Sequence, residues 1–135
     1  MKLYRLTLRG IGPFRDRVDI NFEALADGGL FLIEGATGSG KSTIIDSIAY
    51  ALYGSVLGAG SDFRMTSDFR DDSDPEPPFI EMVFETAQGL WRVRREPEFT
   101  RSTLKNPIKA TASWYAISAD QIDTPANELG KRPCR

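Results

Sequence analysis

An α/β fold organised around one strand–loop–helix unit is what this 135-residue sequence predicts, and three observations carry the prediction. Leu30-Phe31-Leu32-Ile33 is apolar without alternation, the pattern of a short strand buried on both faces in the middle of a parallel sheet. A glycine-rich stretch from Gly35 to Gly40 follows at once. Ile44, Ile45, Ile48, Ala49, Leu52 and Tyr53 then recur at three- and four-residue spacing. That spacing is one stripe of an α-helix from about Lys41 to Tyr53, and Gly54 is placed to end it.

The remaining elements read in order. Tyr4, Leu6 and Leu8 alternate with Arg5, Thr7 and Arg9, which predicts a half-buried first strand. Gly10, Gly12 and Pro13 mark a turn. Val18, Ile20 and Phe22 alternate with Asp19 and Asn21, so the two runs predict an antiparallel pair. From Ser55 to Pro78 glycines, prolines and the acids Asp68, Asp71, Asp72, Asp74 and Glu76 predict a solvated loop with a short helix near Met65. Phe79–Glu85 places Ile80, Met82 and Phe84 on one face, and Ala87-Gln88-Gly89 turns the chain. Leu90–Glu96 then puts Trp91 and Val93 inward and Arg92 and Arg94 outward. A further strand is expected over Thr111–Ile117, with Trp91, Trp114 and Tyr115 read as core residues. From Asp123 onward no element is evident, so residues 1–122 are expected to form one lobe and 123–135 an irregular tail.

Composition excludes several chemistries. The chain is 41% hydrophobic and 27% charged, the balance of a globular chain. Its formal net charge is −2, which excludes a chain-wide basic coat for nucleic acid. There is no histidine, so histidine metal sites, Ser/His/Asp triads and Cys/His dyads cannot be assembled from this chain alone. The one cysteine, Cys134, cannot close an intramolecular disulfide and fits a reducing compartment. No secretory leader and no stretch of about 18 apolar residues is visible. A cytoplasmic location is expected, with no membrane partner.

Gly35-Ala36-Thr37-Gly38-Ser39-Gly40-Lys41-Ser42 satisfies G-x-x-x-x-G-K-[ST] completely, in the strand-before, helix-after context that the P-loop requires. Backbone N–H groups must wrap a phosphate chain closely, and glycine lets the backbone turn that tightly. The helix N-terminus aims its dipole and free N–H groups at the same anion. Lys41 adds a full charge for the β- and γ-phosphates, and the Ser42 hydroxyl is a hard ligand for Mg²⁺. Thr43 is the next contact, on the α-phosphate side. Nucleotide binding is therefore expected at residues 35–43, with ATP and Mg²⁺ as cofactors and Lys41 in the catalytic role. Hydrolysis needs in addition an acid at the end of a second buried strand. The nearest candidate, Asp120 after Trp114–Ala119, is interrupted by Ser118, so the sequence supplies half of an ATPase site.

The stretch Gly35–Gly54, GATGSGKSTIIDSIAYALYG, resembles the N-terminal nucleotide-binding segment of the SbcC family, the SMC-like ATPase subunits of SbcCD nucleases. The resemblance extends to the opening strand, Gly-Pro-Phe turn and Asn-Phe strand end within Leu3–Phe22, and to the hairpin Ile80–Glu85 and Trp91–Arg95. It covers roughly residues 1–117. It implies a P-loop NTPase of ABC/SMC-head type, with a mixed sheet, the phosphate-loop helix and an antiparallel β arm. It also implies a head split between two ends of a long chain joined by a coiled coil. The implied partners are a C-terminal ATPase lobe carrying the signature motif and the Mg²⁺/water-positioning acids, a second SbcC-like head, an SbcD-type nuclease and double-stranded DNA. Arg15 falls where related heads carry a basic residue near the nucleotide. Gln88 and Gln121 do not match the family's glutamine, and residues 125–135 do not resemble the family. The chain is thus expected to be a partial gene product that does not hydrolyse ATP alone.

Between Arg92 and Lys109 six basic residues (Arg92, Arg94, Arg95, Arg101, Lys105, Lys109) face two acids. With Arg5, Arg9, Arg15 and Arg17 they are candidates for a phosphate-tracking DNA face. The alternative is an ordinary charged outer face of a sheet. Two other functions fit the phosphate loop: an autonomous P-loop small-molecule kinase, or a non-catalytic fragment.

Overall fold

The computed structural model describes residues 1–25, 32–56 and 65–129. Five strands form one sheet in the order β2-β1-β3-β4-β5. They are β1 (Lys2–Arg9), β2 (Val18–Asn21), β3 (Phe79–Thr86), β4 (Gly89–Glu96) and β5 (Thr111–Ile117). Every pair is antiparallel. A single helical turn, α1 (Phe22–Leu25), follows β2, and α2 (Lys41–Tyr53) packs on β3 and β4.

Alternation sorts the sheet into two faces. Leu6 opposes Met82, Met82 opposes Val93, and Val93 opposes Trp114. These side chains and their neighbours Leu8, Ile80 and Phe84 form the core beneath α2. Each fully buried aliphatic contributes roughly 1.5–3 kcal/mol of transfer free energy. β1 departs from simple alternation. Its register against β3 shifts between Leu3 and Arg5, so Leu3 rather than Tyr4 joins the core face. Tyr4 instead donates its hydroxyl to Glu85 at 3.0 Å. A bulge of this kind inverts the facing of every residue on one side of it.

The opposite face is polar yet buried. Thr7, Glu81 and Arg92 are all nearly inaccessible to solvent. Arg92 pairs with Glu81 and donates to the carbonyls of Gln121 and Ile122 at 3.2 and 2.6 Å. Ala126 N–H reaches the same Glu81 carboxylate at 3.3 Å. Residues 121–126 thereby cover this face, led there by the 3₁₀ turn Ala119–Gln121 with its Ser118/Gln121 capping box.

Several expectations need correction. Leu30 and Phe31 lie outside the described residues. Leu32 and Ile33 are not in a strand, and Leu32 is 79% exposed. A short apolar run becomes a buried strand only when other strands pair with it on both sides, and none of the described strands does. Among the described residues the sheet is therefore antiparallel rather than mixed. Met65 is not helical but a buried core residue, and Thr66 bridges Ile11. On α2 the residues facing the sheet most closely are Ser47 and Ala51, while Ile45 and Tyr53 point to solvent at 55% and 76% exposure. Small side chains let the helix approach the sheet, and that approach sets its rotation.

Candidate functional site

The glycine-rich stretch leads into α2 through two glycines in the left-handed region, Gly38 at φ 82° and Gly40 at φ 97°. Between them Ser39 N–H donates to Ala36 O at 3.1 Å, a tight turn. Gly40 is the N-cap residue of α2, and Ile44 N–H donates to its carbonyl at 3.1 Å. Among the described residues no side chain caps this end, so the first-turn N–H groups remain open to an anion. Nor does α2 carry an acid in its first turn, so no carboxylate of that turn offsets the positive end of its dipole.

Lys41 folds over the loop. Its Nζ donates to Gly35 O at 2.5 Å and to Ala36 O at 2.7 Å. The ammonium thus sits at the loop's own mouth. Ser42 is exposed beside it, and Lys41, Ser42, Ile33 and Ile45 line an open cleft of about 390 Å³. Gly35 lies under Ser39, so a methyl group there would come within 2.7 Å of Ser39 Oγ and turn that hydroxyl aside. Ala36, Thr37, Gly38 and Ser39 are exposed at the rim. The structure therefore brings Gly35 through Ser42 together.

Of two further expected residues, one packs on the β1–β2 turn and the other lies on it. Thr43 packs its side chain against Gly12 of the β1–β2 turn. Arg15 is exposed on that same turn, where its carbonyl accepts from Gly10 N–H at 3.1 Å. Asp120 is exposed on the 3₁₀ turn after β5, an edge strand of the sheet. The Gln121 side chain is held by Ser118.

The fit to Mg·ATP rests on this chemistry. A cradle of left-handed glycines, an uncapped helix end, one ammonium and one exposed hydroxyl suit a polyphosphate. Among the described residues no group of three or more His, Cys, Asp or Glu is placed to hold a metal ion. Mg²⁺ would therefore arrive with phosphate oxygens and use Ser42 as its ligand from this chain.

Most arginines of the expected DNA-tracking face have partners within the fold. Arg92 is buried against Glu81 rather than outward. Burial lowers its pKa, and the Glu81 charge and hydrogen bond oppose that shift. Arg94 pairs with Glu81 at 3.3 Å and Glu96 at 3.0 Å and stacks over Phe79. Arg5 pairs with Asp123, Arg9 with Asp74 and Glu76, and Arg17 with Asp19. Arg101 donates to Pro75 O. Arg95 has a role the sequence did not disclose. Its Nε donates to Ala51 O at 2.8 Å and Nη2 to Leu52 O at 3.4 Å, placing a cation on the C-terminal end of α2. The signal was strand parity, since Arg95 shares the helix-facing side of β4 with Trp91 and Val93. Lys105 and Lys109 are exposed.

Comparison with known proteins agrees with this geometry. Residues 5–133 match the family described as AAA domain. The chain is 40% identical over 100 residues to the SbcC subunit of the SbcCD nuclease of Vibrio cholerae, covering 73% of this chain and 10% of that protein. The protein of the same name from Clostridium acetobutylicum is 48% identical over 127 residues, covering 91% and 10%. That from Staphylococcus epidermidis is 31% identical over 133 residues, covering 97% and 13%. The chain thus spans about a tenth of the length of these relatives. No helix among the described residues is long and apolar enough to cross a membrane.

Proposed function

Because the chain belongs to the AAA domain family, we propose that it binds Mg·ATP through residues 35–43, as the N-terminal lobe of an SbcC-like ATPase acting with a nuclease in DNA double-strand-break repair and end processing. The observation that carries this reading is the phosphate loop itself: Gly38 and Gly40 in left-handed conformation, followed at once by α2 with Lys41 turned into the loop. The relatives are named as the SbcC subunits of SbcCD nucleases, which supports the nuclease partner and the DNA substrate.

In this reading backbone amides of residues 36–41 bind the β-phosphate, and Lys41 Nζ leaves the carbonyls of Gly35 and Ala36 for the β/γ-phosphate oxygens. Ser42 orients Mg²⁺, Thr43 lies on the α-phosphate side, and Arg15 extends toward the nucleotide from the β1–β2 turn. The metal supplies charge neutralisation for phosphoryl transfer. The acids that position water come from a C-terminal lobe, and a second head closes over the nucleotide. That division of labour accounts for the apolar side chains of Ile45 and Leu32 at the surface beside the loop. DNA contacts fall on surfaces other than the internally paired arginines of the sheet. Residues 1–122 constitute the lobe, and Asp123 and Ala126 pack back against its sheet through Arg5 and Glu81.

The test is nucleotide binding by a fluorescent ATP analogue, alongside phosphate release with and without an added C-terminal lobe from an SbcC-type ATPase. Binding without turnover by the chain alone, and turnover once the lobe is added, is the expected result. Turnover by the chain alone would favour an autonomous kinase-like enzyme and overturn the split site.

A further inference from the structure

The β1–β2 turn touches the phosphate loop at two points, and both contacts are made by glycines that leave no room for a side chain. A methyl group on Gly40 would lie 2.5 Å from Phe14 Cζ, 2.8 Å from Phe14 Cε2 and 3.0 Å from Pro13 Cγ. A methyl group on Gly12 would lie 2.7 Å from Thr43 Cγ2 and 2.8 Å from Thr43 Oγ1. Gly40 and Thr43 flank Lys41 and Ser42, so the turn braces the loop on either side of its two key side chains. The turn is itself closed by a reciprocal pair of hydrogen bonds, Ile11 N–H to Phe14 O at 2.9 Å and Phe14 N–H to Ile11 O at 2.8 Å. It is tied to a distant segment by Gly12 N–H to Met65 O at 3.0 Å and Ser67 N–H to Gly10 O at 2.8 Å. The Phe14 ring packs against the core as well as against Gly40. A rigid, doubly anchored ring edge pressed on a glycine backbone is what fixes a loop within the narrow tolerance that ligand geometry demands.

We infer that Phe14 is a positioning residue for the phosphate loop, acting through Gly40; this rests on the nucleotide-binding reading above. The ring holds the Gly40 peptide in its left-handed conformation, and with it the start of α2 and the placement of Lys41. Truncating the ring frees that peptide and lowers affinity for a polyphosphate without removing any group that touches it.

The experiment compares the full chain with its Phe14→Ala, Phe14→Leu and Trp114→Phe variants. Two quantities are read: the nucleotide-free amide resonances of Gly38, Ser39 and Gly40, and Mg·ATP affinity by calorimetry. Phe14→Ala is expected to shift those amides and weaken Mg·ATP about tenfold, and Phe14→Leu to restore most of both. Trp114→Phe, a change in the same core against Phe84, is expected to alter neither. A folded Phe14→Ala variant with unmoved loop amides and unchanged affinity would overturn the inference. If that variant does not fold, Phe14→Leu decides: small shifts confined to the loop amides support the inference, and none overturns it. If the parent chain itself binds no nucleotide, the nucleotide reading fails, and the amide shifts alone still decide whether Phe14 positions Gly40.

Discussion

The phosphate loop and the β3–β4 hairpin hold their positive charge in opposite ways. On the hairpin, Arg92 and Arg94 converge on one buried carboxylate, Glu81, and Arg95 covers the carbonyl end of α2. At the loop, among the described residues, Lys41 meets only main-chain carbonyls, at the surface, beside a helix end without a side-chain cap. A cation with a carboxylate partner inside the fold contributes to structure. A cation held only by neutral dipoles at an open helix N-terminus can transfer to an anion with little loss. Counting basic residues along the sequence cannot separate the two cases, because the count carries no information on partners.

The comparison breaks most decisively at Glu81. Glu81→Ala leaves the Arg92 guanidinium buried without its counter-charge and should cost about 3–5 kcal/mol of folding stability, read from urea unfolding. Lys41→Ala, by contrast, should stay within about 0.5 kcal/mol. A small effect at Glu81 would mean that the pair is solvated and the hairpin arginines are available to ligands. Next in size is Gly40→Ala. A non-glycine residue at φ 97° carries strain of about 1–3 kcal/mol, and its methyl meets Phe14. Denaturant unfolding should show that loss together with weaker nucleotide binding, since this site is where structure and function share one residue.

Arg95→Ala sharpens the contrast from the other end of α2. Losing a cation at the helix C-terminus should cost about 1 kcal/mol, with phosphate binding at the N-terminus unchanged when both are measured on one sample. The smallest effect concerns pH. The hydrogen bond from Arg17, and then that from Thr7, holds the Asp19 carboxyl below the usual range. Its folded pKa is depressed, so its stabilisation is complete above the unfolded value of about 4 and is lost as pH falls through the folded value. Asp19→Asn should therefore remove a small stabilisation at neutral pH and flatten the acid limb below about pH 4, where the two proteins converge.

Much of this architecture was legible in the residues. The alternation of β1, β3, β4 and β5, the helical spacing of α2 and the loop pattern all express local rules, and the boundaries of α2 and β5 coincide with those expected. Where local rules failed, a long-range partner decided. Tyr4 lost its core position to a bulge that only pairing with β3 creates. Arg92 alternates outward on its strand, yet residues 121–126 fold back over that face and bury it. Leu32 reads as buried, yet no described strand lies beside it. The candidate site was legible because its chemistry is contiguous in sequence. Its brace was not, because Phe14 meets Gly40 across 26 positions that carry no common motif.

Calorimetric titration of the folded chain with Mg·ATP, run beside Lys41→Ala, is the most direct test of the central claim that this loop is a polyphosphate site. Saturable heat for the parent chain and none beyond dilution for the variant is the predicted result. Equal heats for the two proteins, or none for a demonstrably folded parent, would contradict it.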